Sequence, residues 1–507
     1  MLTAYAPSAH RLGGTIGLVQ RSGGALGLAN LVKPLFTSRR RGLGSSAALG
    51  SLVFFDDYSS ILIVGNSLRP LIQAVRISAA KLAFISHAVG VCLASFSPVS
   101  SWVGLQLGYL SATYEQLSAL GGAGAAFSHA DPFVGFLTTL PLRFFPLSMM
   151  AYVIINAVTT TDYGPMAAAE AEASERADEL EASAAALGAT NDKSAYVDLS
   201  EIEDPDSAPA DADVESVLGP TDPRPGTPLR SRNALVPFIT VVAVALGGMF
   251  AQGVAAINAM PVAVRPPVGP VTALRYADSV TALIWGSAAG WLASLSMSLS
   301  QRLLTLDESM EAWVGGIKEV LEPTVVLLLA WALGHVIADV GTANFLARAL
   351  QAGLPAWGLG ALVSLLSYII SFACGSSFGT MGILFPLVGP LALAVGGGDF
   401  AFVHRCFGAV MGGSLLGNVC SPISDTTILA SLATRCPIDF HVQTCLPYVG
   451  LAGFVALVFG DLAVGLGLYS ALPAVGVCTG VLYAAHILLA RRQVSMDARR
   501  AAANALP

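Results

Sequence analysis

The sequence predicts an all-α polytopic membrane protein with inverted repeats, two re-entrant hairpins and two broken helices. Three observations carry this expectation. Of the 507 residues, 54% are hydrophobic and only 12% are charged, against about 25% charged in soluble domains, and the mean hydropathy is +0.68. Apolar stretches of about 20 residues, enough to cross a bilayer, recur along the chain. Polar, proline-broken motifs interrupt several of them, and irregular backbone is tolerated at membrane depth only where it is buried in protein or lines a cavity.

In chain order, the candidate membrane segments begin with a weak one at 12–32. The others are 43–68, 82–110, 133–158, 235–257, 278–300, 319–340, 357–396, 404–432, 446–470 and 473–490. Between them, residues 161–233 form a cytoplasmic loop rich in Ala, Ser, Pro and acids. Its first part is expected to be an exposed helix and its remainder a disordered, solvated linker. About half of the chain's acids lie there, so the formal net charge of −7 says little about the membrane part. The division expected is a first repeat over 12–160, this loop, a second repeat with terminal helices over 234–490, and a basic cytoplasmic tail over 491–507. Met1 to Gly14 lacks the charged and apolar regions of a secretory signal. The seven cysteines form no Cys-x-x-Cys pair, which argues against a disulfide framework or zinc site.

The most informative motif is Cys420-Ser421-Pro422-Ile423-Ser424-Asp425-Thr426-Thr427, preceded by Gly408, Gly412, Gly413 and Gly417. Pro422 removes a backbone donor and breaks the helical ladder. Freed carbonyls beside the Ser421, Ser424, Thr426 and Thr427 hydroxyls and the Asp425 carboxylate are hard oxygen donors of the kind that hold small cations in secondary transporters. The motif has an earlier counterpart in Ser97-Pro98-Val99-Ser100-Ser101. Likewise Phe55-Asp56-Asp57-Tyr58-Ser59-Ser60, followed by Pro70, is mirrored by Phe372-Ala373-Cys374-Gly375-Ser376-Ser377, followed by Pro386. Two motifs recurring in the same order indicate an internal duplication.

Charge placement sets the topology. Arg39, Arg40 and Arg41 precede the Phe-Asp-Asp motif, while Arg69, Arg76 and Lys81 follow it. A hairpin with its tip near Asp57 to Ser60 leaves both basic clusters in the cytoplasm; a single crossing would not. Continuing this path makes 357–396 a second hairpin that enters from outside, so the repeats are inverted. Arg265, Arg275, Arg348 and Arg405 are its exceptions on the outer side.

If both tips and both Ser-Pro breaks meet at the midplane, Ser59, Ser60, Ser97, Ser100, Ser376 and Ser377 join Ser421, Ser424, Thr426 and Thr427 around one cavity. Asp56, Asp57 and Asp425 would charge it. An ionisable residue at that depth is functional by default. The competing structural readings are that Asp425 and Thr426 cap the helix resuming at Ile428, and that Asp56 or Asp57 pairs with Arg143. His335 and Asp339, spaced i, i+4, form either a satisfied pair near the membrane edge or a proton relay. No nucleophile–base pair or nucleotide loop stands out, which argues against an enzyme, and nothing points to nucleic acid.

These residues resemble the NhaC-type Na+/H+ antiporter family of the wider ion transporter superfamily. The match rests on Phe55-Asp56-Asp57-Tyr58 with Gly65-Asn66-Ser67-Leu68-Arg69-Pro70, and on the Cys420 to Thr427 motif. Arg143-Phe144-Phe145-Pro146, Asp162-Tyr163-Gly164-Pro165-Met166, Trp331-Ala332-Leu333-Gly334 and Leu446-Pro447-Tyr448 support it. The resemblance implies exchange of Na+ (or Li+) for H+ without a cofactor, and a homodimer in the lipid bilayer. Three departures stand out. Asn418-Val419 replaces an Asp-His pair of the family, His87 stands where the family has an Asp, and the first repeat looks short by about two helices. His87 is therefore a further candidate relay. The alternatives kept are a Na+- or H+-coupled organic-anion or amino-acid carrier, and a transport-inactive regulatory membrane protein.

Overall fold

A computed structural model describes residues 2–504 apart from 73–74, 99, 187–220, 222, 225, 262–264, 266, 270–271, 274–275 and most of 320–354. Among the described residues every regular element is helical. The helices that matter here are α1 (Leu2–Arg21), α2 (Gly24–Val32), α3 (Arg39–Leu52), α4 (Asp57–Ile72), α5 (Ala79–Phe96), α6 (Val103–Ala119), α7 (Pro132–Thr139), α8 (Phe144–Thr159) and α9 (Gly164–Ala186). Beyond the loop follow α10 (Arg232–Asn258), α11 (Ser279–Ser300), α12 (Leu306–Glu319), α13 (Ala356–Cys374), α14 (Ser377–Val395), α15 (Phe400–Cys420), α16 (Asp425–Thr434), α17 (Ile438–Val455) and α18 (Ala471–Asn504). Eight helical stretches among them are long and apolar enough to cross a membrane.

Local chemistry sets the boundaries. Ser78 caps α5 by accepting from the Lys81 N–H, and Asp131 caps α7, where Pro132 suits the first helical position. α5 stops at Ser97-Pro98 and α15 at Ser421-Pro422, each before a proline that cannot donate to the preceding turn. The turn between α13 and α14 needs Gly375, whose φ is +65°, followed by Ser376 capping α14 through the Gly379 N–H. A Cβ on Gly375 would also lie 2.9 Å from backbone atoms of Ile423 and Ser424. Gly375→Ala is accordingly expected to lose about 1–2 kcal/mol to the left-handed backbone alone, read as a lower melting temperature in detergent; an unchanged melt would refute it.

The same succession occurs twice: a helical hairpin, then a helix broken by Ser-Pro. In the first, the ends of the hairpin α3–α4 come together, Arg39 donating to the Arg76 carbonyl over 3.3 Å. The two sets then interlock crosswise. α4 packs against α16, and α14 packs against α6. Contact is close enough in both places to demand glycine. A Cβ on Gly65 would press on Ala433, and one on Gly389 on Thr113. Beside this core, α1 packs on α11 and α12, and α2 on α10.

Several expected elements differ. The segment 12–32 is two helices, the first running from Leu2, with a turn at Ser22–Gly23 where glycine has φ +72°. The segment 446–470 starts earlier, at Ile438, and continues through a π-helical turn, Ala456–Leu462. Most of 319–340 and the following loop lie outside the described residues. The acidic loop does begin with a helix, α9, but its start is clamped rather than exposed. Glu170 is 3% exposed, paired with Arg39 at 2.5 Å and accepting from the Ser78 N–H at 2.8 Å. The repulsion expected of an acid-rich segment is overridden there by basic groups at the hairpin's ends.

Candidate functional site

All four helix interruptions meet at one cavity. The tip of the first hairpin contributes Asp56, Asp57 and Tyr58; the first Ser-Pro break, Ser101 and Trp102; the second tip, Ser376, Ser377 and Phe378; the second break, Asn418 and Asp425. The N-termini of α4, α6, α14 and α16 begin there. Their N–H groups and dipoles favour negative charge, which lets carboxylates persist away from bulk water. Among the described residues no Lys or Arg lines the cavity, so the three carboxylates leave it demanding a cation.

The carboxylates are held differently. Asp56 accepts three hydrogen bonds: from the Ser59 N–H at 2.9 Å, the Ser59 hydroxyl at 2.7 Å and the Ser101 hydroxyl at 2.7 Å. It ties the first tip to the first break. Asp57 accepts from Trp102 Nε1 at 3.0 Å. Asp425 accepts from the Thr426 N–H at 2.7 Å and from the Tyr58 hydroxyl, which links the first tip to the second break. Asp425 is solvent-exposed, while Asp56 and Asp57 are buried.

The remaining sequence candidates divide. Ser376 and Ser377 line the cavity. Ser59 and Ser60 do not; the first bonds Asp56 and receives Gln20 Nε2 at 2.6 Å, and the second donates to the Gly50 carbonyl at 3.3 Å. Ser97 ends α5, and Ser100 folds back onto the Ala94 carbonyl at 2.7 Å. It is the next residue, Ser101, that faces inward. Ser421 fastens the second break to the second hairpin through the Phe372 carbonyl at 2.8 Å. Ser424 and Thr426 both donate to the Asn418 carbonyl, at 2.9 and 3.0 Å. Thr427 Oγ1 is buried with no hydrogen-bond partner among the described residues. His87 touches this break, its Nε2 2.9 Å from Thr426 Oγ1. His335 lies outside the described residues, and Asp339 is exposed.

The pairing of Asp56 or Asp57 with Arg143 is not what the fold builds. Arg143 is fully buried and donates to the Ser95 carbonyl at 2.6 Å, to Gln106 Oε1 at 3.1 Å and to the Thr139 hydroxyl. It neutralises carbonyls at the C-terminus of α5, where a cation suits the helix dipole, and lies 4.7 Å from the Phe136 ring centroid.

Sequence reasoning passed over Tyr58, Ser101, Trp102 and Asn418 as lining groups, although all stand inside or beside the motifs it quoted. It also missed Asp461, a buried carboxylate in the π-helical turn of the α17 segment that accepts from Ser364 at 2.7 Å. Such turns often mark functional positions, but only the fold reveals this one.

The sequence profile of the Na+/H+ antiporter family matches residues 94–463. An uncharacterized protein of Haemophilus influenzae is 25% identical over 90% of this chain and 77% of its own length. The arginine/ornithine antiporter ArcD of Halobacterium salinarum is 28% identical over 38% of this chain and 40% of its own. The malate-2H+/Na+-lactate antiporter of Bacillus subtilis is 31% identical over 32% and 34%. Among solved structures, the Alcanivorax borkumensis YdaH transporter superposes with a TM-score of 0.51 at 16% identity, over 92% of this chain and 86% of that one. Neisseria gonorrhoeae MtrF does so with 0.51 at 15%, over 91% and 82%. With its apolar helices and cavity, the chain belongs to the Na+/H+ antiporter family and is a multi-pass integral membrane protein, a secondary transporter rather than an enzyme.

Proposed function

We propose that this protein exchanges Na+ for H+ by alternating access at the cavity between the four helix interruptions. The observation that carries the reading is the convergence of Asp56, Asp57 and Asp425 on a cavity lined, among the described residues, by no basic group. A carboxylate there takes either a proton or a small cation, and exclusive occupancy by one or the other is sufficient for antiport. Asp425 is the exchanging group; Asp57 shares the charge, and Ser376 and Ser377 offer hydroxyl ligands. The crosswise packing of α4 on α16 and α14 on α6 supports inverted repeats with re-entrant hairpins, whose tips rock together against α1, α10, α11 and α12. A homodimer is part of this proposal.

A second reading follows from the relatives whose names denote exchange of amino acids or organic acids. The rings of Tyr58, Trp102 and Phe378 beside the carboxylates favour a solute bearing a positive charge; a bare carboxylate would meet three like charges.

Acid-inside proteoliposomes with a trapped pH dye test both. External Na+ is expected to drive proton exit from wild type, K+ to do so poorly, and Asp425→Asn to abolish it. Folded wild type that moves no protons on adding Na+ or Li+ would overturn Na+/H+ exchange. Proton movement appearing only with amino acids or organic acids would establish the second reading.

A further inference from the structure

A continuous line of hydrogen-bonding groups leads from the cavity to the start of α17. Asp425 Oδ1 lies 3.4 Å from Ser424 Oγ, which lies 3.0 Å from Thr426 Oγ1. Thr426 Oγ1 is 2.9 Å from His87 Nε2, and His87 Nδ1 is 3.1 Å from His441 Nε2. Between its ends the line is dry: Ser424, Thr426, His87 and His441 are each at most 1% exposed. His441 is the fourth residue of α17, within its first turn, and the segment leading into it is open to solvent at Arg435, Pro437, Asp439 and Phe440.

Hydrogen-bond chemistry fixes the resting tautomers. The Asn418 carbonyl, which can only accept, lies 3.0 Å from His87 Nε2, so that nitrogen carries hydrogen. Nδ1 of a neutral His87 is then a lone pair and accepts from His441 Nε2–H. This leaves His441 Nδ1 as a bare acceptor, and it is buried with no partner among the described residues. An unpaired buried acceptor is destabilising, a cost with no return if the two rings merely pack. The ionisable groups on the surrounding helices bond elsewhere: Lys81 and Tyr448 to Asp162, Cys420 and Cys445 to carbonyls, and Asp425 to Tyr58. Neither ring is therefore held as a fixed cation by a carboxylate.

We propose that His441 and His87 form a proton wire from the first turn of α17 to Asp425. A proton arriving at His441 Nδ1 releases the Nε2 proton to His87 Nδ1. His87 passes its own Nε2 proton to Thr426 Oγ1, whose hydroxyl proton moves to Ser424 Oγ, whose proton in turn goes to Asp425 Oδ1. One proton enters and one is bound. The rings exchange tautomers, and reverse transit or ring and hydroxyl rotation resets them. The proposal rests on Asp425 being the exchanging carboxylate, and it adds His441, which stands outside every motif in the sequence.

The test is a pH jump on the reconstituted protein, following by time-resolved infrared the carbonyl band of protonated Asp425, identified by its loss in Asp425→Asn. His441→Gln and Thr426→Val, which break the line at different links, are expected to slow that band at least tenfold while leaving its final amplitude in place. Rates within twofold of wild type in both variants would overturn the wire, as would the absence of any Asp425 band in wild type. If the band behaves as expected but Na+ drives no proton exit, the Na+/H+ reading alone fails.

Discussion

Asparagine at Asp57 is expected to leave the protein folded and to weaken Na+ binding roughly tenfold to a hundredfold. Two adjacent carboxylates are held in different ways. Asp56 is consumed by structure, accepting from both donors of Ser59 and from the Ser101 hydroxyl. Asp57 lines the same cavity, and among the described residues Trp102 is the one other side chain seen to donate to it, so its charge is less committed to structure. A charge-assisted contact is worth about 1.5–3 kcal/mol, which sets the range. Asp56→Asn should behave differently. Its amide NH2 would face a donor on one side, costing about 1–3 kcal/mol of stability for the unmade bond. Equilibrium binding of radioactive Na+ to purified protein, paired with thermal melts of both variants, separates the two roles. An Asp57→Asn protein that binds Na+ as wild type does would remove Asp57 from the site.

What could be read from the sequence was local in origin. Proline breaks, the Gly-Ser turn at Gly375 and the basic residues flanking the first hairpin act within a few positions, so the interruptions of four helices were legible before any folding. Partners across the fold were not. Arg143 looked available to Asp56 because nothing in the chain says that the Ser95 carbonyl and Gln106 lie nearer to it. Trp102 carries no mark of its aim at Asp57, and nothing local marks Ser101 rather than Ser100 as the hydroxyl that lines the cavity. His441, isolated in sequence, acquires meaning only beside His87. Asp461 sits in a helix whose extra residue per turn leaves no trace in the hydrophobic pattern. The docked start of α9 is hidden for a related reason: composition reports the helix's average polarity, whereas Glu170 is buried by one docking face.

That docking face supports the largest expected stability change. Lys81→Met should destabilise the protein by about 3–5 kcal/mol, the usual result of removing one partner of a buried ion pair. Lys81 is fully buried and contacts Asp162, itself 5% exposed, and Asn156 Oδ1 at 2.8 Å. Arg39 also reaches Asp162, at 3.1 Å, but it is more than a quarter exposed and already shared with Glu170. It therefore compensates incompletely for the missing ammonium. The outermost pair, Arg76 with Asp178, is exposed on both sides; its loss should cost less than about 1 kcal/mol. Because the lost energy in Lys81→Met is mainly that of an unpaired carboxylate, adding Asp162→Asn should restore part of it. Chemical or thermal unfolding in detergent of the single and double variants measures this directly. A single variant as stable as wild type, or a double variant less stable than the single by the full additive amount, would mean that Asp162 is held by Arg39, Asn156 and Tyr448 without Lys81. If the expected coupling is found, the ends of the first hairpin, the start of α9 and α17 are one electrostatic unit, and the hairpin tip bearing Asp56 and Asp57 moves, when it moves, from a base fixed by Lys81.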